Sequence, residues 1–394
     1  MIDFRLTETD KAILARTREE ALIARRYARQ CDDNEAETIP DTLPEAEEFY
    51  ANAAPLPKPG PEDTAPPVMM GLQAMGTYWG DYSVRLRNAN RGGGLGNAAL
   101  SAAGNDEQKA KWGGLLLSMA ITEPGCGSDP SRVSTTAVLD EETNEWVING
   151  EKIFVTTGIR ANGVVIWATI DKSAGRAGIK SFLIEKGTPG FEVPHKEKKL
   201  GIRADDTAAY VFRDCRIPRE NLLGLDESIP KASSGGFRGV MKTFNMTRPG
   251  VAAIGIGMAE AALDFTRDCL TEAGFEITYG GGLHSASAVV DKFQRLEAKC
   301  EAAMLTILRA AWLSDEGEAN NTEASVCKAK TGEAVRQITQ GCIEILGPMG
   351  ISREHLLEKW FRDVRITDIY EGTGEIQRMI IARSLLGYTR KELN

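Results

Sequence analysis

The sequence predicts an α+β multidomain protein with an N-terminal helical domain, a middle antiparallel β domain and a C-terminal four-helix bundle. Three observations predict this order. Helical spacing of apolar residues marks the first quarter, short strand patterns with turn signals fill the middle, and long helical patterns follow to the end. We place the domains at 1–116, 117–228 and 229–394. The 394 residues are enough for two or three hydrophobic cores.

The N-terminal domain shows helical patterns on both sides of an irregular segment. Apolar residues at helical spacing predict a helix over 7–31, with Thr7 or Thr9 as its cap. Residues 35–67 are rich in Pro, Asp and Glu, which predicts a poorly regular segment on the surface. Helical spacing returns in two further segments, Val68–Met75 and Asn97–Trp112.

The middle domain is predicted from short apolar runs. Met119–Thr122 is the first of them. Trp146–Thr156 contains Asn149-Gly150, a type I′ turn signal, and therefore predicts a hairpin. The remaining predicted strands are Gly163–Ile170, Lys180–Glu185 and Thr207–Phe212, and the domain ends near Ile217-Pro218.

The C-terminal domain is predicted from long helical patterns, which give a bundle of four to five helices. The predicted segments are Arg248–Cys269, Val289–Leu313, Thr322–Leu346 and Leu356–Phe361, followed by a last helix after Thr373. Gly274 is typical of a helix C-cap because glycine adopts the left-handed conformation easily.

Composition argues against several classes of protein. The net charge of −9 argues against a nucleic-acid partner. The seven cysteines are scattered and lack C-x-x-C spacing, which predicts reduced thiols in the cytoplasm and no zinc site. The three histidines do not pair at metal-ligand spacing. We identify no signal peptide, and no apolar run approaches the roughly 18 residues of a membrane span.

The segment Asp368–Arg378 contains the candidate catalytic base, Glu371. Gly372 allows a sharp turn, and Thr373 is placed to cap the following helix. A carboxylate fixed on such a loop is suited to general base catalysis. The alternative is that Glu371 faces solvent or only interacts with the positive end of the helix.

A glycine-rich turn, Thr122–Asp129, follows the first predicted strand. Two glycines allow backbone N–H groups to approach an anionic or polar ring system, and Thr122 and Ser128 add hydroxyl groups. The alternative is a tight loop without a ligand. The strings Gly94-x-Gly96 and Gly255-x-Gly257 resemble nicotinamide-binding motifs, but the first lacks a preceding strand and the second lies inside a helix. Close helix packing accounts better for the second pair.

Five blocks of sequence together resemble the acyl-CoA dehydrogenase family, from about Leu115 to the C-terminus. The blocks are Ala120–Asp129; Trp146, Asn149, Gly150 and Lys152; Lys199–Arg203 with Pro218–Gly224; Thr247–Pro249; and Tyr370–Thr373 with Ile376–Arg378. Their order along the chain matches that of the family. The N-terminal 110 residues or so match poorly and are placed by position alone.

The resemblance implies three domains in the predicted order, with FAD between the β domain and the bundle. It implies a set of flavin contacts at matching positions. These residues are Thr122, Gly127 and Ser128, then Phe154 and Thr156 against the ring system, and Thr373 and Glu375.

The resemblance also implies the substrate and the chemistry. Ser128, Thr247, Arg248 and Gly372 would contact an acyl-CoA, with Arg248 near the CoA end, where a guanidinium suits adenine or phosphate. Glu371 matches the base of medium- and short-chain-like members. It would remove the α-proton of the thioester while the β-hydride passes to flavin N5.

The sequence departs from the family where a neighbouring subunit usually contacts FAD. An Arg-x-x-Phe motif is replaced by Glu276–Tyr279, and a Gln-x-x-Gly-Gly motif by Glu344–Pro348. Two carboxylates would face an anionic pyrophosphate, and Pro348 lacks a backbone N–H. We therefore expect a related dehydrogenase subunit to complete the FAD site in an α2β2 heterotetramer. The alternative is a homotetramer with altered cofactor contacts.

Other functions remain open at this stage. An acyl-CoA oxidase would pass electrons to oxygen instead of an electron-transferring flavoprotein, which the resemblance implies as acceptor. A non-catalytic partner subunit is a further alternative, although Glu371 argues against it. A nitroalkane-oxidising enzyme would usually have Asp as its base. Heteromeric members act on bulky esters such as sterol side chains, so fatty acid or sterol degradation is the expected context.

Overall fold

In the computed structural model a group of helices is followed by a group of strands and then by a second group of helices. The structure describes residues 6–35, 42–56, 58, 60, 63, 66–86, 94–229, 235–281, 286–388 and 392. The helices α1 to α12 are Glu8–Arg25, Ala28–Asp33, Ala46–Asn52, Pro66–Gly80, Leu95–Ala103, Asp106–Trp112, Gly235–Glu272, Ala288–Asp315, Asn321–Leu346, Pro348–Ile351, Leu357–Asp363 and Gly374–Leu386. The strands β1 to β7 are Leu117–Ala120, Thr136–Asp140, Glu145–Thr156, Gly163–Thr169, Ile179–Glu185, Phe191–Glu192 and Thr207–Pro218.

The chain divides into two units that are each built from separate stretches of sequence. Unit 1 comprises Met1–Asn88, Lys199–Ala204 and Asn245–Asn394. Unit 2 comprises Ala89–Lys198 and Asp205–Phe244. The predicted class, a helical N-terminus and bundle with a β domain between them, is confirmed. The three predicted boundaries stay a prediction.

The first helix begins as predicted and ends earlier. Thr7 accepts a hydrogen bond from the Asp10 N–H at 3.1 Å, and the Asp10 carboxylate accepts one from the Thr7 N–H at 3.0 Å. This capping box satisfies donors that the first helical turn leaves open. The helix predicted over 7–31 is interrupted at Arg26-Tyr27, between α1 and α2.

The prediction of an irregular segment over 35–67 is wrong in part, because α3 lies inside it. Its buried Ala46 packs in a cluster with Leu43, while Glu47 and Glu48 favour its N-terminus. Burial of a few apolar side chains therefore overrides the surrounding prolines. Residues 36–41, 57, 59, 61, 62, 64 and 65 of this prediction lie outside the described residues.

The core of unit 1 is formed largely by the long helices α7, α8, α9 and shorter elements around them. The helix α7 begins at Gly235 rather than at the predicted Arg248, and Pro249 lies inside it. Gly257 on α7 faces α4, where an added Cβ would clash with the Met75 carbonyl oxygen and lie 2.8 Å from Trp79 N. An added Cβ at Gly255 would lie 3.3 Å from Thr331 Cγ2 on α9, so the prediction that this glycine pair allows close helix packing is confirmed.

Trp79 on α4 contacts side chains of both α1 and α7 within unit 1. The guanidinium carbons of Arg18 and Arg25 lie 3.3 and 3.2 Å from the centroid of its ring. Asp264 accepts hydrogen bonds from Trp79 Nε1 at 2.8 Å and from Arg18 at 2.6 Å. A carboxylate on α7 thus joins the first and fourth helices.

A buried lysine joins distant parts of the chain in unit 1. Lys359 on α11 forms ion pairs with Asp81 and with Asp363, the latter at 2.6 Å. Asp363 also accepts a hydrogen bond from the Ile202 N–H at 2.6 Å. These contacts explain why the short stretch Lys199–Ala204 belongs with the helices.

The sheet of unit 2 is mixed, with the order β1-β4-β2-β3-β7-β6 and β5 paired with β4. Most neighbours are antiparallel, as predicted for this domain, whereas β4 runs parallel to both β1 and β2. The strand β4 is buried at every residue, as expected for a strand covered on both faces.

The predicted hairpin over Trp146–Thr156 is wrong. These residues form the single strand β3, and Asn149-Gly150 lies at a register shift against β7. Gly150 has φ 150°, and an added Cβ would lie 2.7 Å from Thr135 Cα. Asn149 exchanges hydrogen bonds with Asp214 across the sheet at 2.8 and 3.1 Å. The Asn-Gly pair therefore lies within one strand, opposite a bulge of β7, and the turn lies at residues 141–144.

The helices α5 and α6 pack on the sheet of unit 2. Asn97 on α5 donates to the Leu115 carbonyl at 2.8 Å and accepts from the Leu117 N–H at 3.0 Å. Gln108 on α6 donates to the carbonyls of Glu220 and Leu222, both at 2.8 Å. Across the described residues, every helix is too short or too polar to cross a membrane.

Candidate active site

Glu371 lies on a sharply turned loop immediately before α12. Its φ is 54° and that of Gly372 is 94°, so two successive residues adopt the left-handed region. Thr373 then caps α12, accepting a hydrogen bond from the Ile376 N–H at 3.4 Å. The predicted turn and cap are both present. Left-handed backbone costs a non-glycine residue free energy, so surrounding contacts must hold Glu371 in place.

The carboxylate of Glu371 is half-buried and oriented by a hydroxyl. Thr247 on α7 donates to Glu371 Oε2 at 2.6 Å. Burial raises the pKa of Glu371, while the Thr247 hydroxyl and the charges of Lys328 and Arg248 oppose that shift. A carboxyl group whose pKa is raised in this way is a stronger base when it is ionised.

Arg248 lies deeper than the sequence suggested. Its side chain is buried, and burial lowers its pKa while the charge of Glu371 raises it. The structure therefore places this guanidinium in the charge environment of Glu371. A contact between Arg248 and the CoA end of a substrate stays a prediction.

Two residues around the loop were given no role by the sequence analysis. Lys328 on α9 donates to the Thr367 carbonyl at 2.6 Å and to the Gly372 carbonyl at 3.3 Å. Gln377 donates to the Gly372 carbonyl at 3.1 Å. Lys328 lies at helical spacing from the buried residues Ala324 and Thr331, so a charge on an apolar helix face was the available signal.

In unit 2, the glycine-rich turn and the strand β3 come together. The Ile153 N–H donates to the Thr122 carbonyl at 2.9 Å, which places Phe154 beside the start of the turn. Phe154 is 61% exposed with φ 57°, although the residues on either side of it are half-buried or buried. Thr122 and Thr156 are half-buried, whereas Gly127 and Ser128 are exposed.

An ion pair under the turn fixes its path. Lys152 Nζ lies 2.7 Å from Glu123 Oε1 and also donates to the carbonyls of Ile121 and Trp167. Glu123 additionally accepts from both the N–H and the hydroxyl of Ser134 and of Thr135. Glu123 and Lys152 both belong to the blocks of sequence that resemble the family. The folded structure was needed to show that they form an ion pair.

The two departures predicted from the sequence lie on the helical surface of unit 1. Glu344 pairs with Lys292 at 2.6 Å and accepts from Gln340 at 2.9 Å. Tyr279 donates to Glu297 at 2.8 Å. Glu276 borders an open cavity of about 620 Å³. Its lining residues are Arg267, Thr271, Gly274, Phe275, Glu276, Ile277 and Tyr279.

Two family models match this chain, one over the strands of unit 2 and one over the helices that follow them. A family model described as Acyl-CoA dehydrogenase, middle domain, matches residues 118–215. A second, described as Acyl-CoA dehydrogenase, C-terminal domain, matches residues 234–386.

Individual relatives extend the similarity over most of the chain. The chain is 37% identical to acryloyl-CoA reductase (NADH) of Anaerotignum propionicum over 294 residues, covering 73% of this chain and 72% of that protein. It is 36% identical to the mitochondrial short-chain specific acyl-CoA dehydrogenase of Rattus norvegicus over 339 residues, covering 80% and 78%. The solved structure of butyryl-CoA dehydrogenase from Megasphaera elsdenii superposes with a TM-score of 0.81 at 27% identity, covering 98% and 100%.

Proposed function

Because the chain belongs to the acyl-CoA dehydrogenase family, we propose that it catalyses the FAD-dependent α,β-dehydrogenation of an acyl-CoA thioester with Glu371 as its base. The observation that carries the assignment of the base is the hydrogen bond of 2.6 Å from Thr247 to Glu371 Oε2. It fixes a carboxylate whose pKa is raised by burial on a loop held in the left-handed region.

The residues of unit 2 fit a flavin. Phe154 presents an exposed aromatic ring, which suits contact with a planar ring system. An added Cβ at Gly125 or Gly127 would meet nothing within 4 Å, so the backbone of the turn is open to a ligand. Thr122, Ser128 and Thr156 would add polar contacts, and Thr373 and Glu375 complete the proposed set. Bound FAD would supply the acceptor for the hydride of the β-carbon.

The chain itself would hold and move the proton. One carboxylate oxygen of Glu371 takes the α-proton of the thioester while Thr247 keeps the other oriented. Lys328 and Arg248 favour the ionised carboxylate before the reaction. Ser128, Thr247, Arg248 and Gly372 remain the proposed substrate contacts, and Gly372 lies next to the base in the turn.

Replacement of the base tests this function. We expect Glu371→Gln to retain FAD and to lose dehydrogenation by about 10²- to 10⁴-fold, because the amide cannot accept the proton. Turnover is followed with acyl-CoA thioesters from butyryl-CoA to palmitoyl-CoA, and flavin absorbance measures the cofactor content. The exposed Glu354→Gln is the matched control and should behave like the wild type. Near-normal turnover by Glu371→Gln would exclude Glu371 as the base.

The electron acceptor distinguishes a dehydrogenase from an oxidase. We propose an electron-transferring flavoprotein as the acceptor, in keeping with the family. Release of hydrogen peroxide in stoichiometric amounts during turnover would instead indicate an oxidase. The same assay with α,β-unsaturated thioesters covers the reverse direction, since one relative is named as an acryloyl-CoA reductase.

We also propose that a related dehydrogenase subunit completes the FAD site in an α2β2 assembly. Support comes from Glu276 and Glu344, which replace residues that would contact FAD across subunits. The pKa of Glu344 is lowered by its hydrogen bond from Lys292, so Glu344 remains an anion. Anions at this surface would repel a pyrophosphate. A homotetramer is the alternative.

The finer context of the function is also proposed. A bulky acyl group, such as a sterol side chain, is expected from the heteromeric pattern and places the enzyme in fatty acid or sterol degradation. A cytoplasmic location is proposed from the scattered cysteines, which lack C-x-x-C spacing.

A further inference from the structure

Lys328 is a buried cation inside the helical unit. It lies on α9 with only 1% of its side chain exposed, between the buried residues Cys327 and Ala329. Burying an ammonium group without partners is costly, so its contacts show what keeps it there. Burial lowers the pKa of Lys328 to about 8, against the opposing charges of Glu371 and Asp368.

The contacts of Lys328 are directed at the backbone of the Glu371 loop. Its Nζ donates to the Thr367 carbonyl at 2.6 Å and to the Gly372 carbonyl at 3.3 Å. These two carbonyls lie on either side of Glu371 in the sequence. The same nitrogen is 5.7 Å from the centroid of the Tyr370 ring. One ammonium group thus joins both ends of the loop.

The loop requires such support because its conformation is unfavourable by itself. Glu371 and Gly372 have φ values of 54° and 94°. The left-handed conformation is unfavourable for a residue with a Cβ, because the Cβ comes too close to the following carbonyl oxygen. The amide of Gln377 reinforces the same point, donating to the Gly372 carbonyl at 3.1 Å and to the Glu371 carbonyl at 3.4 Å.

We propose that Lys328 is a positioning residue for Glu371, holding the loop by its carbonyls and supplying a positive charge that favours the ionised base. The proposal rests on the proposed function in one respect, the assignment of Glu371 as the base. Lys328 contacts the loop and not the reacting atoms, so it acts through Glu371.

The charges around Lys328 and Glu371 determine how the pKa of Glu371 should change when Lys328 is replaced. Lys328 is surrounded by Glu371, Asp368, Arg248 and Cys327. The base in turn is influenced by Thr247, Lys328 and Arg248. Burial raises the pKa of Glu371, and the charge of Lys328 lowers it. Removal of Lys328 should therefore raise the pKa of Glu371 further. Activity that requires the ionised carboxylate should then be lost at a higher pH on acidification.

The first test is the pH profile of Lys328→Met in the FAD-loaded enzyme, assembled with its partner subunit if one is required. We expect kcat to fall about 10- to 100-fold because the base is misplaced, with little change in KM. We expect the acid limb of kcat to move up by about one pH unit because one nearby cation is lost. Lys330→Met is the matched control, since Lys330 lies two residues away on α9 and is exposed.

The second readout is independent of activity. Amide hydrogen exchange of residues 367–374 in the chain without substrate should be faster in Lys328→Met than in wild type or Lys330→Met. Lys328→Arg serves if Lys328→Met does not fold. Its charge should keep the acid limb near the wild-type pH, while its different geometry should speed exchange and lower kcat.

The outcomes separate this proposal from the function itself. The positioning role would be overturned if a folded Lys328→Met showed the wild-type kcat, the wild-type acid limb of kcat and the wild-type rate of amide hydrogen exchange. It would also be overturned if Lys328→Arg showed the wild-type kcat and the wild-type exchange rate. If instead Glu371→Gln retains activity while Lys328→Met accelerates exchange, the loop support stands and the assignment of the base fails.

Discussion

Two carboxylates, Glu123 and Glu371, show how burial leads to opposite results with different partners. Burial opposes ionisation of Glu123, but Lys152 and the Ser134 and Thr135 hydroxyls outweigh it and lower its pKa to about 2. Glu371 accepts a hydrogen bond from one hydroxyl, that of Thr247, and the cations Lys328 and Arg248 act on it through their charges. Burial therefore prevails, and the pKa of Glu371 is raised. The first carboxylate is suited to a structural role and the second to proton transfer.

The lowered pKa of Glu123 predicts an acid-sensitive contribution to stability. The carboxylate is 3% exposed, and a shift from 4.5 to about 2 corresponds to about 3 kcal/mol. Because the folded pKa is the lower one, this contribution is complete above about pH 4.5 and is lost as pH falls towards 2. Urea unfolding between pH 7 and 3 measures it.

The matched control for this prediction is Glu123→Gln/Lys152→Met, which removes both charges together. We expect its free energy of unfolding to fall less on acidification than that of the wild type. A parallel fall in the two proteins below pH 4.5 would show that the pair contributes nothing to acid sensitivity.

At the level of single residues, the sequence indicated Glu371, Gly372 and Thr373, because a carboxylate, a turn and a helix cap are local features. It did not indicate Lys328, whose two carbonyl partners lie 39 and 44 residues away along the chain. Only the packing of α9 against the loop brings them together. Contacts to main-chain atoms leave no pattern in the sequence of the partner.

At the level of elements, the helix α7 offers two glycines with opposite surroundings. An added methyl group at Gly257 would clash with the backbone of α4, whereas at Gly250 it would meet nothing within 4 Å. We expect Gly257→Ala to lower the free energy of unfolding by about 1–3 kcal/mol through overpacking. Gly250→Ala should raise it by roughly 0.5–1 kcal/mol, since glycine disfavours a helix interior.

Urea unfolding of the two single variants measures this pair of effects. Both changes add the same methyl group to the same helix, so the comparison removes most of the effect of composition. A stabilising Gly257→Ala would show that α4 and α7 are not packed as closely as the structure indicates.

The predicted hairpin at Asn149-Gly150 shows where local signals fail for whole elements. An Asn-Gly pair favours a tight turn when the flanking strands are free to pair with each other. Here β2 and β7 pair with the two edges of β3, so the chain continues as a strand and the Asn-Gly pair lies opposite a bulge of β7. Helices were easier to predict, because their spacing reflects one buried face.

At the level of the whole molecule, both units are discontinuous in sequence. Lys199–Ala204 belongs to unit 1, where the Ile202 N–H donates a hydrogen bond to Asp363. This short stretch is far in sequence from the helices that it contacts. The order of helices, strands and bundle was predictable from periodicity. The division into units was not, because it depends on single long-range contacts.

The proposed assembly is tested on the intact chain. We expect the chain to be poor in flavin when it is purified alone. Co-expression with its partner subunit should give about one FAD per two chains. Glu276→Arg/Glu344→Gln should raise the flavin content of the isolated chain, because it removes the anions from the shared surface. Mass in solution and flavin absorbance measure both effects.

An exposed pair on the same unit, Glu316 and Glu318, provides the control as Glu316→Arg/Glu318→Gln. This double variant should leave the flavin content unchanged. A wild-type homotetramer with about one FAD per chain would contradict the shared site and show that Glu276 and Glu344 are tolerated.

The grip of Lys328 and Gln377 on main-chain carbonyls has an evolutionary consequence. Every amino acid offers the same carbonyl, so these hydrogen bonds to the loop do not require a particular side chain at position 371. A descendant of this protein could exchange Glu371 for another residue and acquire different chemistry while inheriting the same support. The hydrogen bonds that hold the loop are thus compatible with a change of the base.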